Sequence, residues 1–202
     1  MYIKVCGLKS PADVAVAIGA GADAIGVVHA EGSPRHLDVA AAGAVISSAA
    51  GAVDTVLVVA STPVGQAVDF AEAIGASVLQ MHGRYMPADF TLAARLFPRV
   101  WRATSLAPGV DLTVGAYGEE RLLLDAPRAG SGQRWDVSAL EAGRPEGEWL
   151  LAGGLNAHNV AGAIAAARPW GVDVSSGVET ARGIKSHDLI RQFVANARAA
   201  SF

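Results

Sequence analysis

Cysteine is nearly absent from this chain, which has one in 202 residues, Cys6. A single thiol can form neither a disulfide framework within the chain nor a metal site built from several thiolates, so both are excluded. Histidine is also sparse, and the five histidines do not cluster at metal-ligand spacing. The sequence therefore implies no metal. If the thiol has a role, it acts as a thiol.

Charged side chains are few as well, at 17% of the residues, against about 25% in an average soluble domain. The formal net charge is −3, and no cluster of Lys and Arg offers a surface to nucleic acid. Every apolar stretch ends well before the roughly 18 residues of a membrane span, and the N-terminal one is too short for a signal peptide. We expect a cytoplasmic protein that binds neither nucleic acid nor membrane.

Apolar residues are abundant, at 51% of the chain, and glycine occupies 23 positions. A chain of this length suits one domain with a full hydrophobic core. No shift in composition and no linker rich in Pro and Ser divides it. We therefore predict a single domain over residues 1–202.

Eight short runs rich in β-branched residues recur along the sequence. Several are almost continuously apolar, which is typical of parallel strands buried on both faces. We predict strands at Tyr2–Cys6, Ala24–Val28, Val53–Val59, Ser77–Met81, Arg99–Thr104, Arg121–Asp125, Glu148–Ala152 and Gly171–Val174.

Ala-rich segments with helical spacing lie between these runs, and several begin with a capping residue or a first-turn proline. We predict helices at Ala12–Ala20 after Ser10-Pro11, Val39–Ala49 after Asp38, Val64–Ile74 after Thr62-Pro63, Ala157–Ala167 after Asn156, and from Ser186 to near Ala200.

The alternation of strands and helices predicts right-handed βαβ units and a parallel sheet. Eight units predict an α/β fold of the closed (β/α)8, or TIM-barrel, type, at the small end of its size range. The alternative, an open doubly wound sheet, lacks a Gly-x-Gly-x-x-Gly motif after the first strand. The segment Leu106–Glu120 contains Pro108 and three glycines. Because these are poor helix formers, we expect the fifth helix to be missing or degenerate.

Reactive side chains follow several predicted strands at their carboxyl ends, where active sites of this fold lie. Four of them have a plain structural alternative: Cys6 as a small buried hydrophobe, Asp125 as a helix cap, Arg35 as the partner of an acidic neighbour, and His82 as the partner of a carbonyl. Along the chain the candidates are Cys6, Arg35, Gln80, His82, Arg102, Asp125 and Asp173.

Two turns at the same face suit an anion. At Gly153-Gly154 no Cβ blocks the approach of a ligand to the backbone N–H groups. Ser175-Ser176-Gly177 can start a short helix whose free N–H groups favour a phosphate. The loops after strands 7 and 8 are the usual phosphate site of this fold, so we predict phosphate binding at these five residues. The alternative is that both are merely tight connections.

Short motifs follow one another in order from residue 3 to about residue 185. They include Ile3-Lys4-Val5-Cys6-Gly7-Leu8 and the segments 21–26, 33–35, 79–83, 123–125, 130–136, 151–155, 171–179 and 183–185. In this ordered set, which covers nearly the whole chain, the sequence resembles the phosphoribosylanthranilate isomerase family of tryptophan biosynthesis. That family's barrel also tends to lack a proper fifth helix.

The resemblance implies an Amadori rearrangement of N-(5-phosphoribosyl)anthranilate to 1-(2-carboxyphenylamino)-1-deoxyribulose 5-phosphate, without a cofactor. It implies that Asp125 is the general acid at the ring oxygen and Cys6 the general base at C2, whose pKa a nearby positive group would lower. Arg35 would hold the anthranilate carboxylate. We assign Gln80, His82 and Asp173 to the same substrate site.

Two other functions stay open at this point. The histidine-pathway isomerase, or a dual-substrate enzyme, resembles this reaction, but that family has Asp where Cys6 stands. A non-catalytic phosphosugar-binding barrel would have lost Cys6 or Asp125, and both are present. The partner we expect is a small phosphoribosyl substrate, and we expect a monomer, with a homodimer as the alternative.

Overall fold

The computed structural model of the chain describes residues 1–106, 109–125 and 143–200. Eight parallel strands close into a barrel in sequence order, so that β1 pairs with both β2 and β8. All eight predicted strands are confirmed, each bound lying within one residue of the prediction. The strands are β1 Tyr2–Cys6, β2 Ala24–His29, β3 Asp54–Ala60, β4 Val78–His82, β5 Val100–Ser105, β6 Arg121–Asp125, β7 Trp149–Leu151 and β8 Gly171–Val174.

Six helices cover the outside of the barrel within the described ranges. The predicted caps of the first two and of the last one are present: the side chains of Ser10, Asp38 and Ser186 each accept a backbone N–H of the first helical turn. The helices are α1 Pro11–Ala20, α2 Val39–Ser47, α3 Val64–Ala73, α4 Pro87–Leu96, α5 Val160–Ala167 and α6 His187–Ala199.

The two largest departures from the predicted helices are at α5 and α4. Helix α5 begins at Val160 and not at Ala157, because the Asn156 side chain accepts the N–H groups of His158 and Asn159 in a turn before the helix. Helix α4 has no counterpart among the predicted helices. It starts after Met86, a residue with no side-chain oxygen to act as a cap, and Asp89 of its first turn accepts the Met86 N–H instead.

The fifth helix is missing, as predicted, from the described part of the segment between β5 and β6, where residues 109–120 form turns. Arg102 holds this segment in place: it pairs with buried Glu119 at 2.7 Å and donates to the carbonyls of Asp111 and Thr113. The expectation that Arg102 belongs to the site is wrong. Its neighbours on β5, Trp101 and Ala103, face the barrel interior, and because side chains alternate along a strand, Arg102 faces outward.

Buried apolar side chains form two layers in the molecule. The larger lies between the barrel and its helices; the smaller fills the barrel and includes Leu123, Leu150 and Trp101. At the amino ends of the strands, Arg121 lies over the rings of Tyr2, Trp101 and Trp170, at 4.4–5.1 Å from each centroid. Because apolar side chains fill the barrel below, the polar groups at the carboxyl ends of the strands face a ligand that approaches from that end.

The chain after β8 forms a small separate element beside the barrel. A short 3₁₀ helix at Ser176–Val178 leads into a hairpin of β9 Glu179–Ala181 and β10 Ile184–Lys185. The hairpin turn contacts the loop after β2, since a Cβ on Gly183 would lie 2.5 Å from the Pro34 carbonyl oxygen. No helix in the described ranges is long and apolar enough to cross a membrane.

Candidate active site

A cavity of about 250 Å³ opens at the carboxyl ends of the strands. Ten of the twelve predicted site residues line it, from β1, β4, β6 and β8 and from the loops after β2, β7 and β8. They are Cys6, Arg35, Gln80, His82, Asp125, Gly153, Gly154, Asp173, Ser175 and Ser176. The other two, Arg102 and Gly177, are not part of the lining. The matching segment 130–136 lies outside the described residues.

Cys6 is at the end of β1, where its side chain is 6% exposed. Two residues earlier on the same face lies Lys4, which is fully buried and donates to Asp173 Oδ1 at 2.8 Å. Lys4 and Asp173 are register partners on β1 and β8. Burial raises the pKa of the Cys6 thiol, and Asp173 adds to this, while Lys4 and Lys185 lower it without cancelling the rise. The expected effect of nearby positive groups is present, since Lys4 and Lys185 both lower the pKa of Cys6, but burial outweighs it and the net pKa is raised.

Asp125 ends β6 and lines the cavity together with His82 of β4. The His82 Nε2 atom lies 3.9 Å from Asp125 Oδ2. Burial lowers the pKa of His82, the positive charge of Lys4 lowers it further, and Asp173 opposes both. The imidazole is therefore neutral at neutral pH, so this contact is not an ion pair there and His82 can act as a hydrogen-bonding group.

Gln80 comes two residues before His82 on β4, on the same face of the strand, and is 3% exposed. Its Oε1 atom is buried without a hydrogen-bond partner among the described residues. A buried unpaired acceptor is costly, so this oxygen is available to a donor group of a ligand. The position agrees with the predicted substrate contact.

Arg35 lines the cavity from the loop after β2, and its guanidinium binds Glu179 by two hydrogen bonds. Glu179 also accepts from Lys185 Nζ at 2.8 Å and from the Gly183 N–H at 3.0 Å. Burial alone would raise the pKa of Glu179, but the hydrogen bonds from Arg35 and Lys185 outweigh it and lower the pKa to about 2. The acidic neighbour considered as an alternative for Arg35 thus exists.

The two predicted anion turns lie side by side after β7 and β8. Gly153 and Gly154 both have positive φ, 82° and 67°, which favours glycine. In the described part of the chain no hydrogen bond uses the N–H groups of Gly154, Ser176 or Gly177. Gly177 is required for another reason, since a Cβ there would lie 1.8 Å from the Leu155 carbonyl oxygen.

Three residues of this site were not predicted from the sequence: Lys4, Glu179 and Lys185. Lys4 carried a usable signal, because a residue two positions before Cys6 on a strand faces the same side. Glu179 and Lys185 lie in a hairpin that sequence patterning did not identify. Among the residues described, no group of three or more His, Cys, Asp or Glu side chains could hold a metal ion.

The closed parallel barrel, with its polar cavity at the carboxyl ends of the strands, defines a (β/α)8-barrel enzyme. Residues 3–196 match the family model of N-(5'-phosphoribosyl)anthranilate (PRA) isomerase. The chain belongs to this family. Its activity is that of a PRA isomerase in tryptophan biosynthesis.

Individual relatives agree with the family match. The chain is 38% identical over 206 residues to the N-(5'-phosphoribosyl)anthranilate isomerase of Bordetella parapertussis, which covers 96% of this chain and 94% of the relative. The crystal structure of TrpF from Jonesia denitrificans is 56% identical, with a TM-score of 0.93 and coverage of 99% and 98% of the two chains. These matches favour PRA isomerase over the histidine-pathway alternative.

A further solved structure shows a family member with a ligand. It is a phosphoribosyl anthranilate isomerase in complex with reduced 1-(o-carboxyphenylamino)-1-deoxyribulose 5-phosphate. This chain is 29% identical to it, with a TM-score of 0.84 and coverage of 98% and 99%. The relative therefore binds a small phosphorylated molecule that also carries a carboxylate.

Proposed function

We propose that the cavity binds PRA and that Cys6 and Asp125 convert it to 1-(2-carboxyphenylamino)-1-deoxyribulose 5-phosphate. The observation that carries this proposal is that the thiol and the carboxyl group line one cavity of about 250 Å³ from opposite sides of the barrel, on β1 and β6. Two groups so placed can serve two different atoms of one bound sugar. General acid and base groups contribute about 10²–10⁴-fold each to a rate.

Asp125 acts first, as the general acid. Its proton passes to the furanose ring oxygen while the C1–O bond breaks, and the nitrogen lone pair forms the C1=N bond of an open-chain Schiff base. Cys6, as the thiolate, then removes the proton from C2, and the electrons of the C2–H bond form a C1=C2 double bond while the nitrogen becomes neutral. The resulting enolamine becomes the ketone when C1 gains a proton and the C2 hydroxyl loses one. No electrons are gained or lost overall, so no cofactor is required.

Arg35 is assigned to the anthranilate carboxylate. Its Nε and Nη2 atoms are occupied by Glu179, and within the described structure Nη1 has no hydrogen-bond partner. This nitrogen can therefore donate to a second carboxylate without breaking the Arg35–Glu179 pair. Hydrogen bonds between charged groups are among the strongest in proteins.

The phosphate is assigned to the two turns after β7 and β8. The N–H groups of Gly154, Ser176 and Gly177, which have no partner among the described residues, can donate to phosphate oxygens. The Nζ atom of Lys185 lies 2.8 Å from the Ser175 carbonyl oxygen in the same turn. Gln80 and His82 line the same cavity from β4, and we assign them to the ribose hydroxyls. Asp173 contacts the substrate or acts through Lys4.

We further propose that a monomer is the active form. The cavity is lined by residues of one chain that come from both sides of the barrel. A second copy is therefore not needed to complete the site. Ultracentrifugation of the protein at its assay concentration tests this directly, and activity restricted to a dimer would contradict it.

The acid–base assignment is tested by turnover of freshly prepared PRA, followed by the loss of its fluorescence. We compare wild type, Cys6→Ala and Asp125→Asn, with Asp188→Asn as a matched control because Asp188 is exposed on α6. We expect kcat to fall at least 10²-fold in the first two variants and to stay unchanged in the control. Turnover within a few-fold of wild type in Cys6→Ala or in Asp125→Asn would overturn the corresponding assignment.

A further inference from the structure

Lys4 is the only lysine among the largest fully buried side chains in the described ranges, and its ammonium lies inside the barrel next to the site. Burial of a charged group is unfavourable unless nearby charges compensate for it. Lys4 has such partners: Asp173 at 2.8 Å, and the Cys6 side chain on the same face of β1. The two favourable interactions outweigh burial and raise the pKa of Lys4, so it stays an ammonium.

The side chains of Lys4 and Cys6 both occupy space next to a glycine of the neighbouring strand. Gly26 is the register partner of Cys6 on β2. A Cβ at Gly26 would lie 3.0 Å from Cys6 Sγ and 3.3 Å from Lys4 Cε. Both side chains thus pack over the one position where β2 has no side chain of its own, which places the ammonium beside the sulfur.

The charged groups around Cys6 come from four parts of the fold. Lys4 shares its strand, Asp173 faces it from β8, Lys185 from β10, and Arg35 from the loop after β2. Across the cavity His82 and Asp125 complete the titratable groups of the lining. Lys185 and Arg35 are both paired with Glu179. Lys4 shares the strand and the face of Cys6, and of the positive groups it lowers the pKa of the thiol most.

We propose that Lys4 is a positioning residue for the isomerisation, which stabilises the thiolate of Cys6 by its buried positive charge and is itself held by Asp173. This proposal rests on the assignment of Cys6 as the base. It gives a function to a buried charge that the reaction steps do not use. Because the pKa of Cys6 is raised in spite of Lys4, without the ammonium the thiolate would be rarer still.

The test uses the presence of a single cysteine, since alkylation of the folded protein by iodoacetamide then reports on Cys6 alone. The rate is measured against pH for wild type, Lys4→Met, Asp173→Asn and the double variant. We expect the pH midpoint of alkylation to rise in Lys4→Met. It is expected to fall in Asp173→Asn, because the negative charge that opposes the Lys4 ammonium is gone. In the double variant it is expected to lie between these two. Each pKa unit changes the thiolate population about tenfold.

Turnover gives a second readout. We expect kcat of Lys4→Met to fall about tenfold for each pKa unit by which its alkylation midpoint rises, with KM changed less than threefold. The double variant, which buries no unpaired charge, is compared by circular dichroism and thermal unfolding, so that a misfolded single variant does not decide the result.

Two outcomes would overturn the proposal. An alkylation midpoint in the folded double variant equal to that of folded Asp173→Asn would show that Lys4 does not act on the sulfur. A shifted midpoint in Lys4→Met with unchanged kcat would show that the effect is not used in the reaction. Failure of the acid–base assignment is recognised separately, by turnover that survives in Cys6→Ala while the alkylation midpoints still shift.

Discussion

Arg35 and Glu179, 144 residues apart in sequence, form a two-point ion pair at the rim of the cavity. Arg35 Nε donates to Oε1 at 2.6 Å and Nη2 donates to Oε2 at 2.8 Å. The pair joins the loop after β2 to the hairpin after β8, and Lys185 adds a second positive charge to the same carboxylate. One negative and two positive charges leave this edge of the site with an excess of positive charge, which suits a substrate with two anionic ends.

The guanidinium of Arg35 can donate to two carboxylates at once in a fixed planar geometry, which a lysine ammonium cannot reproduce. We expect Arg35→Lys to raise KM for PRA about 10- to 100-fold with a smaller change in kcat, since a hydrogen bond to a charged group contributes about 1.5–3 kcal/mol. Steady-state kinetics measure this, with Arg191→Lys on the exposed face of α6 as the matched control. A KM for Arg35→Lys that equals that of the control would contradict the carboxylate assignment.

Glu179 makes the stability of the fold depend on pH. Its pKa is lowered in the folded state to about 2, below the value of about 4.3 in an unfolded chain. Its contribution is therefore fully present above about pH 4.3 and is lost as the pH falls toward 2. We expect the difference in unfolding free energy between wild type and Glu179→Gln to shrink over this interval. Urea unfolding at pH 6 and pH 3 measures it, and a difference that stays constant would argue against the ion pair.

Gly177 is predicted to be intolerant of any side chain. A Cβ would meet the Leu155 carbonyl oxygen at 1.8 Å, so Gly177→Ala must displace the turn and is expected to cost about 1–3 kcal/mol or more and to raise KM. Gly19, in α1 with nothing within 4 Å of its Cβ position, is the control. Gly19→Ala is expected to stabilise the protein by about 0.5–1 kcal/mol. Equal unfolding free energies for the two variants in urea would disprove this description of the turn.

The acid–base pair predicts the alkaline limit of the activity. The reactive form has Cys6 deprotonated and Asp125 protonated, so the two groups together hold one proton, and the population of this form is constant between their two pKa values. Because the pKa of Cys6 is raised above its ordinary range, kcat/KM is expected to be flat from pH 7 and to fall only above about pH 8.5. A pH profile with a descending midpoint below pH 8 would be inconsistent with this pair.

The sequence predicted the barrel well because its signals are local. Runs such as Asp54–Ala60 carry the apolar, β-branched pattern of buried strands, and caps such as Ser10 mark helix starts. Helix α4 was not predicted, because its N-cap residue, Met86, has no side-chain oxygen that could mark the helix start in the sequence. The start of α5 was misplaced because Asn156 forms a turn that resembles a cap in sequence.

The site was predictable to the extent that the fold places it. Because the carboxyl ends of the strands meet at one end of a barrel, the predicted strands by themselves place Cys6, Asp125 and Asp173 near one another. Ion pairs between distant segments, such as Arg35 with Glu179, leave no periodic trace in a sequence. Nor does local sequence give the balance of burial against charge at Cys6, because that balance depends on the side chains of several other elements.

The central claim, that Asp125 opens the ring and Cys6 removes the C2 proton, is tested most directly by a kinetic isotope effect. Single turnovers are followed with PRA that carries hydrogen or deuterium at C2 of the ribose, for wild type, Cys6→Ser and Asp125→Asn. The account predicts a larger isotope effect in Cys6→Ser, where loss of the C2 proton limits the rate, and none in Asp125→Asn, where ring opening limits it. The reverse pattern, or the same isotope effect in both variants, would contradict it.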